Sequence, residues 1–86
     1  MAPPTWNLRE LGDAGLLLEL EGTPEQAWSA GQVVAGRLRA TRPPGFVDVV
    51  ASFDTVFVSF DPLVTDHAVM SETVVGLGAR PAPDRE

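Results

Sequence analysis

The most constraining feature of the sequence is a helix-start signal at residues 23–26, Thr-Pro-Glu-Gln. Threonine is a favoured N-cap, proline is tolerated at the first helical position because its missing N–H would be unpaired there anyway, and a glutamine three residues after the cap closes a capping box. Small and apolar residues then recur at helical spacing: Ala27, Ala30, Gly31, Val34, Leu38 and Thr41. The sequence therefore predicts a helix whose small-residue face lies close against a sheet and which ends at "RPPG", residues 42–45.

The segment before this helix has the two-residue alternation of a β-hairpin. Trp6 and Leu8 alternate with polar residues, and the glycine-containing segment 12–15 supplies a turn. The returning strand places two sets of residues on opposite faces: Leu16, Leu18 and Leu20 on one, and Leu17, Glu19 and Glu21 on the other. The all-leucine face is the predicted core face.

The segment after the helix contains two further strands and a second helix. Residues 46–50 and 53–60 are rich in valine and phenylalanine, with a short polar interruption between them. This pattern predicts two strands joined by a tight connection. Thr65 or Asp66 can cap a helix that runs to Leu77.

The order of these elements within residues 1–78 is hairpin, helix, two strands, helix. Helices separated by pairs of strands predict an α+β fold, a two-layer ferredoxin-like sandwich in which an antiparallel sheet carries both helices on one face. That arrangement leaves the other sheet face without cover. Residues 79–86, ARPAPDRE, have the polar, proline-rich composition of a linker or disordered tail.

Size and charge limit the function classes open to this chain. Its 86 residues form one domain with little room for an enclosed active site. A net charge of −6 argues against nucleic acid and membrane surfaces as partners, because both attract clustered Lys and Arg. No stretch approaches the roughly 20 apolar residues of a membrane span. Without cysteine or a signal-peptide pattern, we expect a cytoplasmic protein.

The polar residues form no recognisable catalytic or metal-binding motif. His67 is the only histidine, so a His-based triad would need a second chain, and we interpret it as a solvated surface residue. Glu19 and Glu21 share a strand face, and a solvated face explains them better than acid-base chemistry does. The other candidates lack EF-hand spacing or a neighbouring base: Asp54, Asp61, Asp66, Ser52 and Ser59. We predict no catalytic residue, no metal site and no cofactor.

The uncovered sheet face carries apolar side chains that can contact a partner. Leu17 and Phe57 lie on this face, and we expect Trp6 and Phe53 beside them. Exposed apolar patches mark interfaces, and aromatic anchors dominate interface energetics. We therefore predict that these four residues bind a protein partner or a second copy of the chain. The alternative is that the N-terminal residues or the tail fold over this face, or that the face tolerates a few apolar groups.

Three blocks of the sequence carry a resemblance to a known family. They are Gly12-Asp13 followed by the leucine-rich strand, Pro43-Pro44-Gly45 followed by residues 47–50, and Phe60-Asp61-Pro62. In this order, over residues 8–62, the chain resembles the N-terminal domain of the B-type subunits of bacterial ATP-dependent 5-oxoprolinase. The same family has been named allophanate hydrolase subunit 1, the carboxyltransferase C/D domain and the Kip-type inhibitor of a sporulation histidine kinase.

The resemblance implies that ligand binding and chemistry reside in a second, cyclophilin-like domain and in partner subunits. This chain would then be a docking module of a hydrolase complex, and we expect it to be inactive alone. A regulatory alternative is that it binds and inhibits a histidine kinase, as the Kip-type name implies.

The chain departs from the family pattern at the turn after residue 50. Where the family tends to have Pro, Tyr and Arg, this sequence has Ala51, Phe53 and Asp54, so an acidic side chain replaces a basic one. The chain is expected to be either a piece of a longer protein or a short homologue. Without the family's next strand, one sheet edge is expected to be open for pairing with another chain.

Overall fold

The structure is a computed structural model that describes residues 5–77. Its elements follow the predicted order: β1 Thr5–Glu10, β2 Gly15–Glu21, α1 Pro24–Thr41, β3 Phe46–Ala51, β4 Thr55–Phe60 and α2 His67–Gly76. Strand β4 begins later than predicted because residues 52–54 form the turn, in which the Ser52 N–H donates to the Thr55 carbonyl at 2.8 Å. The predicted tail at residues 79–86 lies outside the described residues.

The strands form one antiparallel sheet in the order β1-β2-β4-β3. Strand β4 lies between β2 and β3, the two strands that α1 connects, and this is the split β-α-β unit of a ferredoxin-like fold. Strand β1 pairs with the other side of β2, where Leu8 is directly opposite Leu18. In the described part of the chain, the sheet therefore has β1 and β3 as its edge strands.

Both helices pack on one face of the sheet and share a single apolar core with it. The sheet side of this core includes Leu16, Leu18 and Leu20, the face that the sequence predicted to be buried. The helices contribute Ala27, Val34, Ala35, Leu38, Met70 and Val74. No polar or charged residue is buried among residues 6–77. The predicted two-layer α+β sandwich is confirmed.

Trp6 lies in this core, so the prediction that it stands on the uncovered face is wrong. Trp6 is 1% exposed, and its indole Cη2 would be 3.8 Å from a Cβ added at Gly31 of α1. The hairpin register decides its direction, because Trp6 is directly opposite Leu20 and residues directly opposite each other in an antiparallel pair point to the same face. The sequence shows which residues of β1 share a face. Only the pairing of β1 with β2 determines which of its two faces points into the core.

Helix α1 begins through the predicted capping box. The Thr23 hydroxyl accepts a hydrogen bond from the Gln26 backbone N–H at 3.2 Å, and the Gln26 side-chain oxygen accepts one from the Thr23 N–H at 3.4 Å. At the other end Arg42 adopts a left-handed conformation with φ of 44°. Its N–H donates to the Leu38 carbonyl at 2.8 Å, which ends the helix before the two prolines.

Helix α2 is capped by Asp66, one of the two predicted caps. The Asp66 carboxylate accepts a hydrogen bond from the Val69 N–H at 2.9 Å. The C-terminal end of the helix is tied to α1, because the Arg37 guanidinium donates to the Leu77 carbonyl at 2.6 Å. Neither helix of the described chain has the length and apolar character needed to cross a membrane.

Candidate interaction surface

A row of side chains crosses the uncovered face of the sheet, with one residue from each strand. Leu17 on β2 is directly opposite Phe57 on β4, and Phe57 is opposite Val50 on β3. Arg9 on β1 completes the row opposite Leu17. We call Leu17, Phe57 and Val50 the apolar row. The structure places Leu17 and Phe57 on this face, as the strand alternation predicted.

The members of the apolar row differ in exposure. Leu17 and Phe57 are half-buried, whereas Val50 is 55% exposed. Phe57 loses part of its exposure because its ring packs against Gly15 of the neighbouring strand. The row therefore has a partly buried aromatic ring at its centre and an exposed valine at its β3 end.

Val50 was missed by the sequence analysis because β3 has no clear alternation. The strand reads FVDVVA, with valine at both 49 and 50. A register shift between Phe46 and Asp48 marks a β-bulge. Beyond it, Val49 is buried in the core and Val50 lies opposite Phe57 on the uncovered face.

The β1 end of the row is polar. Arg9 Nη1 lies 3.3 Å from Glu19 Oε2, and the Asn7 amide donates a hydrogen bond to Glu21 at 2.8 Å. An exposed ion pair of this kind contributes at most about 1 kcal/mol to stability. The Arg9–Glu19 pair places charged side chains at the β1 end of the apolar row. Each of the two glutamates singled out in the sequence is engaged by a side chain of β1.

Phe53 does not join this row, so the expectation that it lies beside Leu17 and Phe57 is wrong. It belongs to the turn between β3 and β4 and is 84% exposed. The turn carries it past the last strand pair, Ala51 with Val56, to the end of the sheet where α1 begins. There it lines an open pocket with Leu20, Gly22, Pro24, Ala27 and Asp54.

The outer edge of β3 is capped by side chains. Arg39 of α1 donates to the Val49 carbonyl at 3.0 Å, and the Asp48 carboxylate accepts a hydrogen bond from the Val49 N–H at 2.8 Å. These contacts occupy the backbone groups of Val49 that point away from β4. Together with the bulge, they disfavour pairing of this edge with another strand.

His67 makes a structural contact that the sequence did not predict. Its Nε2 lies 2.9 Å from the Gly12 carbonyl oxygen, and its ring meets the Phe60 ring edge-on at a centroid distance of 5.1 Å. Nδ1 lies 3.9 Å from Glu10 Oε1. The interpretation of His67 as a solvated surface residue is therefore wrong, because it ties the start of α2 to the β1–β2 turn. No local signal in the sequence indicates a contact between such distant segments.

The other polar candidates lie in separate places. Asp61 and Asp66 accept hydrogen bonds from backbone N–H groups two and three residues later, each at 2.9 Å. Asp66 thus has the cap role predicted for it, and Asp61 stabilises the turn after β4. Ser52 lies in the β3–β4 turn, and Ser59 lies on β4 opposite Asp48. Within residues 5–77 there is no group of three or more histidine, aspartate and glutamate side chains that could hold a metal ion.

Comparison with known proteins identifies the family. The family model described as the carboxyltransferase domain, subdomain C and D, matches residues 6–86. The chain belongs to this carboxyltransferase domain family. No curated protein and no solved structure matches the chain. The family suggested by the three sequence blocks is thus confirmed at the level of the carboxyltransferase domain.

In this carboxyltransferase-family domain, the three sequence blocks that carry the resemblance contribute turns of the fold. Residues of these turns also contact one another or other segments. The Asp61 N–H donates to the Gly45 carbonyl at 2.7 Å and joins the end of β4 to the turn after α1. Gly45 has φ of 85°, and an added Cβ there would lie 2.5 Å from Thr65 Cγ2. Gly12 has φ of 66° and is the partner of His67. The residues that carry the resemblance therefore have structural roles, in turns and in hydrogen bonds between segments.

Proposed function

We propose that this domain is a non-catalytic module that docks a companion subunit of an oxoprolinase-type complex through the uncovered face of its sheet. The parent protein would be a B-type 5-oxoprolinase subunit or an allophanate hydrolase subunit 1. The observation that carries the proposal is the apolar row on a sheet face opposite both helices. Membership of the carboxyltransferase domain family supports a role within a larger assembly.

The apolar row has the composition of a binding surface. Phe57 stands at its centre with Leu17 and Val50 on either side, and aromatic residues near the centre of a patch contribute most to binding. An uncovered sheet face buries its apolar side chains when another layer packs on it at a spacing of about 10 Å. Arg9 and Glu19 at the border supply a polar rim, which fixes orientation more than affinity.

Binding of the full chain to a co-expressed companion subunit tests the proposal. Val50→Asp should abolish co-purification, because the new carboxylate would lose its water without gaining a partner. Val33→Asp is the matched control, since Val33 lies on α1 in the opposite layer and is 48% exposed. The Val33→Asp chain should bind as the unchanged chain does.

Phe57→Asp provides a second test at the centre of the row. It should abolish binding while the circular dichroism spectrum stays native. If both Val50→Asp and Phe57→Asp fold and still bind, this surface is not the docking site. If the companion subunit does not bind and a histidine kinase does, the regulatory function replaces the docking function.

Activity assays test the non-catalytic part of the proposal. The isolated chain should show no turnover of 5-oxoproline or allophanate with ATP. Measurable turnover that is absent from a mock purification would make the domain an enzyme in its own right.

A further inference from the structure

An open pocket of about 320 Å³ lies at the end of the sandwich where α1 begins. The end of β2, the start of α1 and the β3–β4 turn surround it. Its lining residues are Leu20, Gly22, Pro24, Ala27, Phe53 and Asp54. None of these residues belongs to the apolar row, so the pocket is a separate feature of the surface.

The pocket is built from well-held parts of the fold. Leu20 and Ala27 are buried members of the core and form an apolar floor. The Leu20 N–H donates to the Asp54 carbonyl at 2.8 Å, which holds the β3–β4 turn against β2. Gly22 has φ of 136°, a conformation that favours glycine. Phe53 precedes Asp54 in the β3–β4 turn and is itself a lining residue of the pocket.

The pocket carries a negative charge at one lining residue. Asp54 lines it and is the one charged residue among the described lining residues. No described arginine is among the lining residues, and the sequence contains no lysine. The basic residues of α1 and its C-cap are at the opposite end of that helix: Arg37, Arg39 and Arg42. An apolar floor with an aspartate beside it is complementary to a cation on an apolar stem.

We propose that this pocket receives an arginine side chain of a partner protein. Leu20 and Ala27 offer apolar contact to the aliphatic stem, and the Phe53 ring and the Asp54 carboxylate offer a stacking face and a charged acceptor to the guanidinium. Arginine fits better than lysine because its guanidinium is planar, always charged and weakly hydrated, whereas the ammonium of lysine is compact and strongly hydrated. The proposal does not rest on docking at the apolar row, since it uses other residues.

NMR titration of the isotope-labelled full chain with acetyl-Ala-Arg-Ala-amide tests the pocket. Amide shifts should be confined to residues 20–27 and 52–55. A matched peptide with citrulline keeps the shape of arginine and removes its charge, so it should bind about tenfold more weakly. Raising the salt concentration should weaken binding of the arginine peptide and leave that of the citrulline peptide unchanged.

Variants of Phe53 and Asp54 measure separately what the ring and the carboxylate contribute to the affinity for the arginine peptide. Asp54→Asn and Phe53→Leu should each weaken binding of the arginine peptide by about fivefold to tenfold, with unchanged spectra elsewhere. Glu72→Gln removes the same charge from an exposed position of α2 and should leave the affinity unchanged. Equal binding of the citrulline peptide, or full affinity in Asp54→Asn, would overturn the assignment of arginine. Absence of shifts at any peptide concentration would overturn the pocket as a binding site.

Discussion

The ring of Phe57 lies so close to Gly15 that a Cβ added at position 15 would stand 2.8 Å from Phe57 Cε1. The same Cβ would be 2.7 Å from the Leu11 carbonyl oxygen. Both distances are shorter than real Cβ contacts, which essentially never fall below 3.0 Å. The residue at the centre of the apolar row is therefore positioned by a glycine in the adjacent strand.

Replacing Gly15 with alanine should lower the free energy of unfolding by about 1–3 kcal/mol, because the ring or the turn must move. Gly36→Ala is the matched control, since an added Cβ at this exposed helical glycine meets nothing within 4 Å. That change should raise the free energy of unfolding by about 0.5–1 kcal/mol. Urea titrations measure both effects. A Gly15→Ala chain as stable as the unchanged one would contradict the close contact.

The two tryptophans should behave oppositely. Trp6→Ala should cost about 3–5 kcal/mol of stability because it empties a core site under α1. Trp28 is 52% exposed on the same helix, so Trp28→Ala should change stability by about 0.5 kcal/mol or less. In Trp28→Phe, the remaining fluorescence should come from Trp6 and resist quenching by acrylamide. Efficient quenching of that emission would place Trp6 at the surface.

His67→Phe keeps an aromatic ring beside Phe60 and removes the hydrogen bond to the Gly12 carbonyl. We expect a loss of about 0.5–1.5 kcal/mol in the free energy of unfolding. His67→Ala removes both contacts and should lose about 1 kcal/mol more. Hydrogen exchange should accelerate at the β1–β2 turn and the start of α2 in both variants. Unchanged exchange in these two segments would argue that His67 does not connect them.

The hydrogen bond from Arg39 to the Val49 carbonyl should limit self-association through the β3 edge. Arg39→Met removes the donor to the Val49 carbonyl and exposes that group to a neighbouring strand. Size-exclusion chromatography with light scattering should then show oligomers that increase with protein concentration. Arg37→Met makes the same chemical change on the same helix but removes a contact to Leu77, so it should stay as monomeric as the unchanged chain. Identical profiles for the two variants would show that Arg39 does not protect the edge.

Local sequence signals predicted the elements and the buried face of β2. Thr23 and Gln26 form the capping box because they are three residues apart, and this contact needs nothing from the rest of the fold. Leu16, Leu18 and Leu20 are buried because alternation within one strand assigns them to a common face. The order of such elements was enough to predict the two-layer sandwich with both helices on one side.

The tertiary structure decided which residues meet across the fold. Pairing with β2 turned Trp6 toward α1, and the bulge in β3 brought Val50 to the uncovered face. His67 contacts Gly12 across a separation of 55 residues. The path of the β3–β4 turn carried Phe53 to the pocket beside α1. Sequence patterns report interactions within a few residues, whereas strand register and turn paths depend on packing between segments far apart in the chain.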